Sequence, residues 1–131
     1  MNKTILIVDD DPIVRMIIQK MIHNMDSSVN CHQCDNGEVA LSVLETLRET
    51  IDDIVVLLDI NMPVLNGWGF LDNLKKINLN SFTKFQLYIV TSSTDESDML
   101  KAQSYPVIKK FYHKPLSKQD IGVILNSDEI T

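Results

Sequence analysis

Ile54-Val55-Val56-Leu57-Leu58-Asp59-Ile60-Asn61-Met62-Pro63 is a run of branched aliphatic residues that ends on a carboxylate. It lacks the alternation of a half-exposed strand, so Ile54 to Leu58 is expected to be a strand buried on both faces of a parallel sheet. Two similar runs flank it. Ile5 to Val8 ends in Asp9-Asp10-Asp11, and Leu87 to Val90 ends in Thr91-Ser92-Ser93. Weaker strand candidates are Val29 to Cys34 and an edge-like Lys109 to Tyr112, which leads into His113-Lys114-Pro115.

Helical patterns fill the intervals. Asp11-Pro12 supplies an N-cap and a first-turn proline ahead of Val14, Ile17, Met21 and Met25 on one expected face. Asn36-Gly37 opens a second helix with Ala40, Leu44 and Leu47, and a third follows Gly67 through Phe70, Leu71 and Leu74 to Ile77. Ser93 with Glu96 reads as a capping box for a fourth, and Ser117 caps a fifth carrying Ile121, Ile124 and Leu125. The polar stretch Asn78 to Phe85 is expected to be a loop. The pattern is therefore α/β, a fivefold βα repeat whose right-handed crossovers bury the sheet between helices.

The 131 residues fit one domain over 1–131, with 126–131 a short tail and no output domain. At 44% hydrophobic and 23% charged the composition is that of an ordinary globular chain, and a net charge of −6 argues against nucleic acid or anionic lipid as main partner. No apolar stretch is long enough for a signal-peptide core or a membrane span, so a cytoplasmic location is expected. Cys31 and Cys34 form a C-x-x-C pair, but structural zinc needs four ligands and a strand turns positions i and i+3 to opposite faces. They are expected to be ordinary reduced thiols.

In an open parallel sheet, ligands bind beyond the carboxyl ends of the strands. There Asp9, Asp10 and Asp59 would crowd like charges that cannot all stay ionised unaided. A hard divalent cation with oxygen ligands resolves this, and Mg²⁺ suits a shell shared with water and phosphate. Taken alone, Asp9 and Asp10 could equally end a strand and cap a helix, as Asp11 does; Asp59 on the neighbouring strand favours function. Lys114 adds a cation and Thr91 a short hydroxyl, while Ser92 leaves room for a phosphoryl group. Together these are the parts of a site that transfers phosphate to a carboxylate.

The residues Val8-Asp9-Asp10-Asp11-Pro12, Leu58-Asp59-Ile60-Asn61-Met62-Pro63 with Asn66-Gly67, Val90-Thr91-Ser92 and Lys114-Pro115 resemble the receiver domains of bacterial two-component response regulators, of the single-domain chemotaxis type. The resemblance spans nearly the whole chain. It implies a flavodoxin-like three-layer sandwich with a parallel five-stranded sheet in the order 2-1-3-4-5. It also implies that Asp59 is the phosphoacceptor and that Mg²⁺, with Mn²⁺ as a substitute, is held by Asp10, Asp59 and the Asn61 backbone carbonyl. Asp9 then acts mainly through bound water, and Lys114 pairs with the phosphate before a cis Lys114-Pro115 bond.

The implied switch pairs Thr91, which moves to bond the phosphoryl group, with an inward-turning aromatic at Phe111. Many relatives carry Tyr there, so no phenolic hydrogen bond contributes here. A Phe at this place could also be plain core. Lys109, Lys110 and His113 make the fifth strand basic, either as edge protection or as a face for an acidic partner. The implied partners are a sensor histidine kinase or histidine phosphotransfer protein and a downstream protein, with the chain a monomer or a phosphorylation-dependent dimer.

Two other readings are weaker. A phosphatase of the haloacid dehalogenase type needs an acid/base Asp two residues after its nucleophile, and Asn61 stands there. A pseudo-receiver that has lost phosphorylation would lack one of the required residue types, and all are present.

Overall fold

The computed structural model describes residues 3–126. The strands are β1 (Thr4–Val8), β2 (Asn30–Cys34), β3 (Asp53–Leu58), β4 (Lys84–Thr91) and β5 (Ile108–His113). The helices are α1 (Pro12–Met25), α2 (Gly37–Leu47), α3 (Gly67–Leu74), α4 (Glu96–Ala102) and α5 (Lys118–Leu125). All strands are parallel, in the order β2-β1-β3-β4-β5. The expected flavodoxin-like arrangement is thus the observed one. The tail expected at 126–131 lies, beyond Asn126, outside the described residues.

The sheet separates two cores. Leu6, Val8, Val56, Leu58 and Ile89 face α2, α3 and α4, while Ile5, Ile7, Val55, Leu57, Tyr88 and Val90 face α1 and α5. The central strands are therefore apolar without alternation over Ile5 to Val8, Ile54 to Leu58 and Leu87 to Val90, because each of their faces meets a helix layer. Cys34 joins the first core and Cys31 packs against the second, so the two thiols point apart. Burial pushes both up to about 11, with Asp35 adding to the effect at Cys34. Neither is a thiolate at neutral pH.

Local chemistry explains most helix starts. Asp11 accepts from the Ile13 amide at 2.9 Å, Asn36 from Val39 at 3.0 Å and Asn66 from Gly69 at 2.9 Å. Ser117 and Asp120 form a reciprocal capping box at 3.0 Å each way.

Four expectations need correction. α4 is capped by Asp95, which accepts from Ser97 at 3.0 Å, and Ser93 forms no capping box. The Ser93 hydroxyl instead donates to Asp98 at 2.7 Å. α3 ends at Leu74, leaving Ile77 in the turn beyond. The stretch 78–85 holds a 3₁₀ turn (Leu79–Ser81) and the first residues of β4.

The face of α1 is also rotated. Ile18 and Ile22 are its buried residues, Val14 and Met21 lie at the margin, and Ile17 and Met25 are exposed. Ile22 at 1% exposure and Ile17 at 50% make a direct test. Ile22→Val should cost about 1 kcal/mol in urea unfolding and Ile17→Val less than about 0.5 kcal/mol.

Candidate functional site

The parallel register sets the site. Val8 pairs with Leu58, and Leu58 with Ile89, so β1 and β3 end level while β4 runs on to Thr91. The residue after each strand then projects from one edge. The Asp59 amide donates to the Val8 carbonyl at 2.9 Å, and the Asp9 amide to the Cys34 carbonyl at 3.0 Å. On the other side the Lys114 amide donates to the Thr91 carbonyl at 2.8 Å, which carries the lysine in from β5. The Lys114-Pro115 peptide is cis.

Asp9, Asp10 and Asp59 each present a carboxylate oxygen within 4.8 Å of the others. Asp9 is 3% and Asp59 5% exposed, whereas Asp10 opens to solvent. The Lys114 Nζ lies 2.5 Å from Asp9 Oδ2 and 3.4 Å from Asp59 Oδ2. Asp9 Oδ1 accepts from the Asp11 amide at 2.9 Å, and Asp59 Oδ1 from the Asn61 amide at 3.4 Å. Asn61 itself is exposed beside the cluster.

Thr91 is fully buried, and its Oγ1 accepts from the Ser93 amide at 3.2 Å. Phe111 is half-buried, in register with Ile89 two positions before Thr91, and its ring stands 5.4 Å from that of His113. The structure thus gathers Asp9, Asp10, Asp59, Asn61, Thr91 and Lys114 at one edge. Phe111 sits lower, on the β5 flank.

Burial pushes the Asp59 carboxyl above the ordinary carboxylate range. The Lys114 ammonium opposes this, Asp9 reinforces it, and the Asn61 amide opposes it weakly. For Lys114, burial disfavours the ammonium, but the hydrogen bond to Asp9 and the charges of Asp59 and Asp9 outweigh it, and the net shift is upward. One ammonium thus serves the two buried carboxylates, and Asp10 adds a third carboxylate to the cluster. An all-oxygen donor set of this kind fits a hard divalent cation.

The sign for Lys114 follows from linkage. A raised folded-state pKa contributes stability below the ordinary 10.5 that is lost as pH rises through the folded value. Lys114→Gln should therefore unfold at lower urea than the native chain at pH 8, with the gap closing in the alkaline range above pH 10.5.

Sequence reasoning missed two supporting residues and the close approach made by a third. Arg15 donates to the Asp9 carbonyl at 2.6 Å and to the Gln33 side chain at 3.1 Å, bracing the end of β1. Val64 takes a left-handed φ of 69°, with the Leu65 amide reaching the Pro63 carbonyl at 2.8 Å. Such a turn around a β-branched residue is strained, and it lies in the loop after Asp59. Gly67 is the third: a Cβ there would meet the Asp59 carbonyl at 2.7 Å and Ile60 Cα at 2.8 Å. Only the Asn66-Gly67 pair left a trace in the sequence.

Residues 5–126 match the response regulator receiver domain, and the chain belongs to that family. The nitrate/nitrite response regulator protein NarL of Escherichia coli K12 is 30% identical over 99 residues, which are 76% of this chain and 42% of that protein. Protein-glutamate methylesterase/protein-glutamine glutaminase 1 of Syntrophomonas wolfei is 30% identical over 129 residues, 98% of this chain and 34% of that protein. The crystal structure of a two component response regulator from Cytophaga hutchinsonii superposes with a TM-score of 0.84 at 25% identity, covering 95% of each chain. The chain spans less than half the length of these two curated relatives. Among the described residues no helix is long and apolar enough to cross a membrane.

Proposed function

We propose that this receiver takes a phosphoryl group onto Asp59 from a phosphohistidine of a sensor kinase or phosphotransfer protein and holds it as a signal read through protein contacts. The observation that carries this is the geometry of Asp59: a buried carboxylate 3.4 Å from one ammonium and clustered with two further carboxylates. Asp10, Asp59 and the Asn61 backbone carbonyl would hold Mg²⁺ (or Mn²⁺), with Asp9 acting through water. The ion supplies positive charge that lets carboxylate and phosphate oxygens approach.

The chain's own residues do the rest. An Asp59 oxygen attacks phosphorus, the phosphorus–nitrogen bond of the donor breaks, and the imidazole leaves with the electron pair and a proton from solvent. Lys114 pairs with the phosphoryl oxygens in place of its weaker contact to Asp59. Thr91 turns its hydroxyl toward the new acceptor, and Phe111 moves into the space this opens. No separate substrate is turned over, and Asn61 supports this because an amide cannot serve as the acid/base that a phosphatase needs. The protein works in the cytoplasm, where its phosphodonors are.

Acetyl phosphate with Mg²⁺ should add the mass of one phosphoryl group to the intact chain. Asp59→Asn should add none. Absence of the increase with both acetyl phosphate and a phosphohistidine donor overturns the reading, and sustained turnover of p-nitrophenyl phosphate favours an enzyme instead.

A further inference from the structure

At the end of the sheet opposite the acidic cluster lies a cavity of about 640 Å³. It opens between the segment after α3 and the turn that leads into β5. Leu71 and Leu74 form its buried floor, and Ile77, Leu79 and Val107 are apolar side chains left only half covered. A volume of this size falls within the range of small-molecule sites, roughly 300–1,000 Å³. Wet apolar walls favour any occupant that can displace the water.

The rim has a definite sign. Among the described residues none of those lining the cavity is acidic, although the chain carries a net charge of −6, and the neighbouring Asp72 carboxylate is engaged by the Tyr105 hydroxyl. Lys75 stands at the mouth, beside Asn78 and Asn80. The Asn78 Oδ1 accepts from the Asn80 amide at 3.1 Å, which leaves the Asn78 side-chain nitrogen to donate outward. We propose that the cavity binds a small amphipathic anion, with its apolar body against Leu71, Leu74 and Val107 and a single carboxylate at the Lys75 ammonium. The last α3 carbonyls carry partial negative charge, so the head sits beyond the helix end, beside Lys75 and Asn78.

Tyr105 makes occupancy observable. It lines the cavity, donates to Asp72 at 2.7 Å and stacks on Trp68 at 5.5 Å between ring centroids. Trp68 is the chain's single tryptophan. The probe is 8-anilinonaphthalene-1-sulfonate, its sulfonate standing in for the carboxylate, with uncharged N-phenyl-1-naphthylamine as the control of nearly the same shape.

Saturable binding of the sulfonate, a change in Trp68 emission and amide shifts confined to residues 71–80 and 104–107 are expected. Lys75→Gln, on an exposed residue, should weaken the sulfonate about three- to fivefold and leave the uncharged probe unchanged. Val107→Phe should weaken both; if that variant does not fold, the Lys75→Gln comparison decides alone. Equal effects of Lys75→Gln on both probes, no effect on either, or shifts centred on the exposed α1 residues Ile13, Met16 and Ile17 overturn the proposal.

Discussion

Asp59→Asn is expected to abolish phosphoryl incorporation and, in metal-free buffer, to raise the thermal midpoint by roughly 4 °C, about what 1 kcal/mol is worth in a domain of this size. The two effects have one cause. Asp59 is a buried carboxylate whose pKa is raised first by desolvation and further by Asp9, with Lys114 compensating only in part. A carboxyl with a raised folded-state pKa destabilises the fold when ionised. That cost is fully present above the folded value and disappears as pH falls from there to the ordinary 3.8. The stability gap between Asp59→Asn and the native chain should therefore shrink across that acidic window.

Saturating Mg²⁺ should narrow the gap from the other side at neutral pH, because an ion bound to the native state stabilises it by mass action. Thermal melts at pH 7 and at pH 4, with and without Mg²⁺, check all of this. A variant less stable than the native chain in metal-free buffer at pH 7 would refute the electrostatic account while leaving phosphorylation to be judged separately by mass.

Gly67→Ala is the second large effect. The added methyl would sit 2.7 Å from the Asp59 carbonyl oxygen and 2.8 Å from Ile60 Cα, both backbone atoms that cannot swing aside. The Gly67 amide also donates to the Ile60 carbonyl at 2.8 Å, so α3 starts tightly against the strand end that bears Asp59. Overpacking of this kind costs about 1–3 kcal/mol. Part of the strain should pass into the Asp59 loop, so acetyl phosphate labelling should slow by about tenfold or more, in keeping with the sensitivity of reaction rates to small misplacements. Gly69→Ala is the control, because its nearest neighbour is a terminal methyl of the flexible Leu65 side chain. It should cost less in urea unfolding and leave labelling nearly unchanged.

The features legible in the sequence were those encoded within one strand or one turn. An apolar run ending in Asp9, Asp59 or Thr91 states both its burial and the residue it delivers to the sheet edge, because a parallel strand ends where its side chains become polar. Caps at Asp11, Asn36 and Ser117 were readable for the same reason: donor and acceptor lie within three residues. α4 shows the limit of that logic. Ser93, Thr94 and Asp95 are all competent caps, and Asp95 takes the role because the Ser93 hydroxyl is committed to Asp98 and its amide to Thr91.

Other features had no local signal. α1 carries apolar residues around most of its circumference, from Ile13 and Val14 through Ile17 and Ile18 to Ile22, so periodicity alone cannot give its phase. Packing against β1 and α5 selects Ile18 and Ile22. The brace from Arg15 to the Asp9 carbonyl, the close approach of Gly67 to Asp59 and the cavity beneath Tyr105 each join segments that the chain holds apart. The sequence by itself determined the order of elements, the edge that bears the chemistry and the residue types there, because these depend on hydrophobic period and on hydrogen bonds between near neighbours. Only the tertiary structure decided which faces meet, that Lys114 reaches both Asp9 and Asp59, and where a void remains, because those depend on side-chain volumes and charges from distant segments filling one shared space.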